Sequence, residues 1–296
     1  MADTGGKAVK AVKAVKAVQR IGFAYNPTSD AAVELRERAT GWAQMRGVDE
    51  WAAPAADREA LHRELPGTDV LVVLGGDGTF LRAARAVIED DVPLLGINVG
   101  KVGFLSKVEA SEIERVLEQL VEGRFEIEPR MALEGHIIRG GSRVEGERLL
   151  ALNDIVVARG SLARVVRLDT SIDGSHLASF VADGLVVASP TGSTGYSFSA
   201  GGPILGPTAR NLVVTPIAGY LTTIRSVVVG PEAVVRCRVV DAHEALVSVD
   251  GREDIPLAVG DVIEVRAIER PVHLVEPEGS MPFWDLVRQK VELLPS

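Results

Sequence analysis

The run Val70-Leu71-Val72-Val73-Leu74-Gly75-Gly76-Asp77-Gly78-Thr79-Phe80-Leu81 joins a buried strand to a glycine turn that carries one carboxylate. Five consecutive Val and Leu residues are the pattern of a strand covered on both faces, as in a parallel sheet. Gly75, Gly76 and Gly78 then allow backbone angles that a Cβ forbids and leave amide hydrogens open to a ligand. Thr79 is placed as the N-cap of a helix, because Phe80, Ala83, Ala84, Val87 and Ile88 follow at helical spacing. The turn therefore falls at a helix N-terminus, where the dipole favours anions.

Asp77 is the discriminating residue. A carboxylate repels phosphate oxygens, so a loop that only cradles phosphate gains nothing from it. One that holds a magnesium ion or orients a hydroxyl nucleophile does. The turn is not a Walker A loop, since no Gly-Lys-Ser/Thr follows, and it lacks the third glycine of the dinucleotide fingerprint. The reading is a phosphoryl-transfer site. Its bland alternative is a tight strand-to-helix turn with Asp77 as a cap.

Outward from this turn, residues 20–128 alternate short apolar runs with helical patterns: strands at 21–25, 70–74 and 92–97, and helices at 31–45, after Thr79 and at 111–121. That rhythm predicts an α/β domain with a parallel sheet, whose ligands bind beyond the carboxyl ends of the strands. From residue 129 to 278 the pattern becomes strand after strand, including 149–157, 165–172, 177–182, 184–189, 212–216, 227–229, 234–240, 245–249 and 262–267. Asp173-Gly174 and Asp250-Gly251 are hairpin signals. An all-β domain is expected there, with residues 279–296 as a segment whose short helix, Phe283 to Arg288, docks on the first domain. Residues 1–19 contain a Lys-Ala-Val repeat of period three, which drifts around a helix and builds no apolar face. They are read as a disordered tail.

Composition limits the alternatives. The chain has 296 residues, 46% hydrophobic and 25% charged, enough for two cores. A net charge of -9 and an aromatic content of 4% argue against nucleic-acid partners, which need basic surfaces or stacking platforms. A small anionic ligand would need local amides, arginines and a divalent cation. The five histidines lack metal-ligand spacing, so no metal-ligating residues are assigned. The single cysteine, Cys237, alternates with charged neighbours as a buried strand thiol. No apolar run approaches the roughly 18 residues needed to span a bilayer, and the expectation is a cytoplasmic protein without a membrane partner.

Three further stretches point to the substrate: Asn98-Val99-Gly100-Lys101-Val102-Gly103-Phe104, Leu152-Asn153-Asp154-Ile155, and the element from Asp183 through Pro190-Thr191-Gly192-Ser193-Thr194-Gly195-Tyr196-Ser197-Phe198-Ser199. In the last, Pro190 stops a strand and a loop of small hydroxyl residues follows, a surface suited to ribose and phosphate. Tyr196 offers an aromatic face to a base, and Asp183 an acceptor. Asn153 and Asp154 are adjacent polar residues inside an apolar strand and need partners.

The glycine turn resembles the signature of a kinase superfamily that groups NAD kinases with diacylglycerol, sphingosine and phosphofructokinases. The motifs together, in this order over residues 20 to 292, resemble the NAD kinases. The resemblance implies an enzyme that transfers a phosphoryl group from ATP or polyphosphate to the 2′-hydroxyl of the adenosine ribose of NAD, giving NADP, with magnesium as cofactor and a homodimer or homotetramer as assembly. It implies Asp77 as the catalytic residue that orients or deprotonates the hydroxyl. Gly75, Gly76, Thr79, Asn98 and Gly100 would enclose the phosphate donor. Gly78, Asn153, Asp154, Asp183, Thr194, Gly195, Tyr196, Ser197 and Ser199 would contact the dinucleotide. Phe80 matches a pocket-bordering position and fits a helix core equally, and Arg164 fits either a family contact or a solvated strand position.

The chain departs from the family pattern in three places: Asp154 stands for a usual glutamate, Gly195 for an alanine and Tyr220 for a histidine. The competing readings are a kinase of the same superfamily acting on a lipid or sugar hydroxyl, and a catalytically silent NAD or NADP sensor.

Overall fold

Side-chain alternation along Val70–Leu74 sets the first layer structure. In a computed structural model, which describes residues 17–100, 102–160, 164–220 and 223–292 and all their side chains except those of 253, 291 and 292, this strand is buried throughout. Leu71 and Val73 face Leu61, Phe80 and Ala84, while Val70, Val72 and Leu74 face Leu35, Trp42 and Val116. Each Val or Leu buried this way stabilises the fold by roughly 1.5–3 kcal/mol, which is why the strand sits at the sheet's centre. The strands Arg20–Tyr25 (β1), Asp49–Pro54 (β2), Val70–Leu74 (β3) and Leu94–Asn98 (β4) lie in the order β2-β1-β3-β4, all parallel. Helices Asp30–Arg46 (α1), Arg58–Glu64 (α2) and Asp77–Val87 (α3) connect them. The short Val108–Glu109 (β5) extends the sheet beside β4 and leads into Ile113–Val121 (α4) and Phe125–Arg130 (β6).

The second domain is built from Leu133–Arg139 (β7), Ser142–Ala151 (β8), Asp154–Arg159 (β9), Val166–Ile172 (β10), Ser175–Ala182 (β11), Gly184–Ala188 (β12), Leu212–Ile217 (β13), Val227–Val229 (β14), Val235–Asp241 (β15), Ala245–Val249 (β16), Arg252–Leu257 (β17) and Val262–Ala267 (β18). They form two antiparallel six-stranded sheets, β11-β10-β15-β18-β7-β8 and β14-β13-β12-β9-β16-β17. One core lies between the sheets, with Leu168, Phe180, Val235 and Ile263 from the first against Leu185, Val214 and Val247 from the second. Cys237 belongs to this core, and burial pushes its thiol up to about 12. Asp173 and Asp250 both take positive φ ahead of Gly174 and Gly251, giving the two hairpins that the Asp-Gly pairs predict. The outer face of the second sheet is covered by the loop after β12, through Ala200 and Leu205. That loop also contains the four-residue helix Tyr196–Ser199 (α5).

Three features differ from the sequence reading. The apolar run 149–157 is not one strand but two, broken at Leu152 and Asn153. The chain re-enters the first sheet within the stretch expected for the β domain: Val272–Pro277 (β19) lies between β4 and β6, antiparallel to β6. Val18 is buried, and the Gln19 amide donates to Asp69 at 2.8 Å, so these two residues belong to the first domain rather than to a tail. The Lys-Ala-Val repeat up to residue 16 lies outside the described residues. The chain closes with Phe283–Glu292 (α6), anchored by the fully buried Leu286. No described helix is long and apolar enough to cross a membrane.

Candidate active site

Asp77 is the first residue of α3, and the helix is capped by Gly76, not by Thr79. Thr79 lies buried in the first turn, because the helix begins two residues earlier and the Leu81 and Arg82 amides that it would cap are already inside α3. Gly75 adopts φ of 157°, and a Cβ there would press against the Thr79 side chain, so only glycine fits. Parallel pairing of β3 with β4 brings the turn beside Asn98, and the Gly75 amide donates to the Ile97 carbonyl at 2.9 Å. Asn98 is buried, with its side-chain Nδ2 lacking a partner, and Gly100 is exposed just beyond it.

The half-buried Asp77 carboxylate does not cap its own helix. Its Oδ2 accepts from the Phe104 amide at 2.9 Å, and its Oδ1 accepts from Leu105 and Ser106, each at 3.1 Å. Three consecutive amides form a concave donor set around the charge, as in anion-binding nests. A Cβ on Gly103 would collide with this carboxylate, so the close approach depends on glycine there. A carboxylate has about four acceptor positions. The amides occupy three, and Oδ2 keeps one.

A second carboxylate uses the same device in the β domain. Asp250, at the β16–β17 hairpin, accepts from the amides of Leu152, Asn153 and Asp154 at 3.0, 2.8 and 3.1 Å. These bonds replace the ladder that the broken run 149–157 forgoes. They place Asn153 and Asp154 in a cleft of about 340 Å³ with Tyr196, Ser248 and Gly251. Asp154 is 5% exposed. Burial, and then the neighbouring charge of Asp250, push its carboxyl up to about 7. Burial also raises Asp250, opposed by the three amides and by Arg85. The Oδ1 of Asn153 is buried without a partner, so the site holds one unspent acceptor.

The loop after β12 packs over the cleft. The Asn153 carbonyl accepts from Ser189 at 2.8 Å, and the position of a Cβ on Gly195 lies 3.7 Å from Asn153 Nδ2 and 4.0 Å from Asp154 Oδ2. Arg130, buried at the end of β6, ties the loop to the first domain by donating to Thr191 Oγ1 at 3.2 Å while its Nε bonds Glu128 at 2.7 Å. Thr194 bonds back to the Thr191 carbonyl, and Tyr196 and Ser199 are exposed. The cleft and the glycine turn meet through Arg252, whose guanidinium lies 3.4 Å from the Gly78 carbonyl.

The remaining predicted residues sit in the surrounding fold. Phe80 is completely buried in the core beneath α3, the helix-core place among its two expected ones, because helical spacing turns it toward Leu71 and Val73. Ser197 is likewise fully buried, its hydroxyl within 3.2 Å of Thr215, so it fixes the loop internally. Asp183 is held by Arg159 at 2.7 Å on the strand junction. Arg164 is exposed just before β10. Tyr220 is 67% exposed, and its amide donates to the Val181 carbonyl at 2.7 Å. Sequence reasoning missed Asp250, Ser248, Arg252, Arg130 and the 104–106 amides. Only Asp250 carried a local signal, its Asp-Gly turn.

The division of labour is that of a kinase: one domain presents a carboxylate at a glycine turn, and the other a cleft lined by Asn153, Asp154 and Tyr196. Residues 50–125 match the family model for the ATP-NAD kinase N-terminal domain and residues 152–277 that for the ATP-NAD kinase C-terminal domain. A NAD kinase of Syntrophotalea carbinolica is 36% identical over 282 residues, covering 92% of this chain and 98% of that protein. Yeast NADH kinase, solved in complex with NADH, superposes with a TM-score of 0.80 at 26% identity, over 94% of this chain and 88% of that one. A NAD kinase from Archaeoglobus fulgidus, solved with ATP, gives a TM-score of 0.74 at 26% identity, over 93% and 100%. The chain belongs to the NAD kinase family.

Proposed function

We propose that this protein transfers a phosphoryl group from ATP to the 2′-hydroxyl of the adenosine ribose of NAD, forming NADP. The observation that carries the reading is the Asp77 carboxylate, fixed by three amides with one acceptor position left on Oδ2 and joined to the Asn153–Asp154 cleft through Arg252. Oδ2 accepts the ribose hydroxyl proton, aligning its oxygen for in-line attack and taking the proton as the new P–O bond to the γ-phosphorus forms, the bond from that phosphorus to the β,γ-bridging oxygen breaks and ADP leaves. Asn153 offers its unpartnered carboxamide oxygen to an adenine amino group, and Asp154 accepts from a ribose hydroxyl. Tyr196 supplies a face for a base, while Thr194, Gly195 and Ser199 line the loop side. The amides of Gly76 and Gly78, at the N-terminus of α3, receive the donor's phosphates, with Gly75 and Thr79 shaping the turn and Asn98 and Gly100 beside it.

Among the described residues no three His, Cys, Asp or Glu side chains gather to hold a metal. A magnesium ion would be carried by the nucleotide's phosphates, with Asp77 as the protein carboxylate offered beside them. Such an ion neutralises charge on the phosphates. The protein's own residues supply alignment, which is most of what phosphoryl transfer requires. A cytoplasmic homo-oligomer is the assembly proposed with this activity. The test is a coupled assay in which an NADP-specific dehydrogenase reports product, run with NAD or NADH and with ATP or polyphosphate. NADP formation from NAD and ATP is expected, and a background rate with every pair would refute the reading.

A further inference from the structure

The segment that grips Asp77 is itself gripped from the far end of the chain. Phe104, whose amide donates to Asp77 Oδ2, packs its ring against Phe283 at the start of α6, with centroids 6.4 Å apart. One helix face further on, Lys290 donates to the Val102 carbonyl, and its ammonium stands 6.0 Å from the Phe104 ring centroid, within reach of a cation–π contact. Phe283 stacks edge-on with Trp284 at 4.9 Å, and the Trp284 indole reaches Gly206 of the β domain. α6 thus touches both domains, and Phe283 and Lys290 both contact the stretch from Val102 to Phe104 that leads into the amides.

Among the described residues the loop is braced internally by the Gly103 amide, which donates to the Ser106 carbonyl at 3.2 Å. Its glycines, Gly100 and Gly103, give it little stiffness of its own. Yet three amides must stay aligned on one carboxylate to leave a defined acceptor position, and a displacement of about 1 Å at a reacting group costs up to about 100-fold in rate. The stiffness has to come from outside the loop.

We propose that α6 is a latch, with Phe283 and Lys290 as positioning residues that hold Phe104–Ser106 in register with Asp77. The proposal rests on Asp77 as the hydroxyl-orienting group. A helix that merely stabilised the fold would contribute to melting temperature and leave turnover of the folded enzyme alone.

The test uses the full chain with Lys290→Met and Phe283→Leu, Lys290→Arg as the conservative variant, and Arg288→Ala as a control on the exposed side of the same helix. Hydrogen exchange at residues 102–106 is read without substrates, and kcat and KM for NAD are read in the coupled assay. Exchange of the 104–106 amides at least about tenfold faster in Lys290→Met and Phe283→Leu, with kcat down about 10- to 100-fold, KM near wild type, and both restored in Lys290→Arg, is the expected result. Arg288→Ala should match wild type. Unchanged exchange in this segment, or loosened amides with unchanged kcat, overturns the latch. Should the wild type itself make no NADP, the exchange readings still decide the latch separately from the activity. A variant that loses its fold is replaced by the other, since the two contacts act on the same segment independently.

Discussion

Replacing Asp77 by Asn tests both roles that the structure gives this residue. The best placement of the new amide keeps its oxygen on the side of Leu105 and Ser106, which contribute two bonds at 3.1 Å. Its NH2 group then opposes the Phe104 amide, which in the native protein donates at 2.9 Å. A hydrogen bond to a charged group is worth roughly 1.5–3 kcal/mol, and an unsatisfied donor costs about 1–3 kcal/mol. Some of that penalty is relieved by solvent at this half-buried site, so a stability loss of about 2–4 kcal/mol is expected. At that cost the protein stays folded at assay temperature. The acceptor for the ribose hydroxyl is lost as well, and a positioned base contributes about 10²- to 10⁴-fold. Asp77→Asn should therefore bind NAD with near-native affinity by calorimetry, because the Asn153–Asp154 cleft is untouched, and lose at least about 100-fold in kcat. Retention of more than a tenth of native turnover would refute the assignment of Asp77 to the reacting hydroxyl.

Two other predictions follow the same logic. Asp250→Asn sets an NH2 group against the amides of residues 152–154 and should lower stability by about 2–4 kcal/mol in denaturant titrations while raising KM for NAD, leaving kcat least affected; an unchanged KM would show that the strand break does not shape the cleft. For Asp154 the sign is fixed by a carboxyl at about 7 in the folded protein against an ordinary 3.8. Between these values the folded state keeps a proton that the unfolded state has lost, so stability falls as pH rises from about 4 to about 7, by a few kcal/mol, and levels off above. Asp154→Asn should flatten that slope in melting curves at pH 5 and 8, leaving the part that the likewise raised Asp250 contributes. NAD affinity of the native protein should rise over the same interval as the accepting carboxylate forms.

Much of this architecture is legible in the residues. The five-residue apolar run marks β3 because it is rich in β-branched valine, short and ended by glycines, as a doubly covered strand is, and the Asp-Gly pairs announce their hairpins because few other dipeptides tolerate two positive φ values. The break at Leu152 and Asn153 is invisible by the same rules: the run stays apolar through it, and its cause is a carboxylate 98 residues downstream. β19 reads like its neighbours, since alternation describes which faces are buried and not which strand lies alongside. Phe80 satisfies helix-core and pocket patterns alike, and only packing separates them. At the site, Asp77, Asn153, Asp154 and Tyr196 carry their chemistry in residue type. The backbone amides of 104–106 have no such signature, because any residue but proline supplies one.

Asp77 and Asp250 are, in the end, the same knot tied twice, once in each domain. An acid that threads three successive main-chain donors braces the local fold whatever chemistry passes beside it. Exhaustive substitution of this chain would consequently score both aspartates as sensitive, and a survey that counts weakened variants would enrol Asp250 among the reactive groups. Separating the scaffold's rivets from its tools here takes rate constants measured on intact, soluble variants.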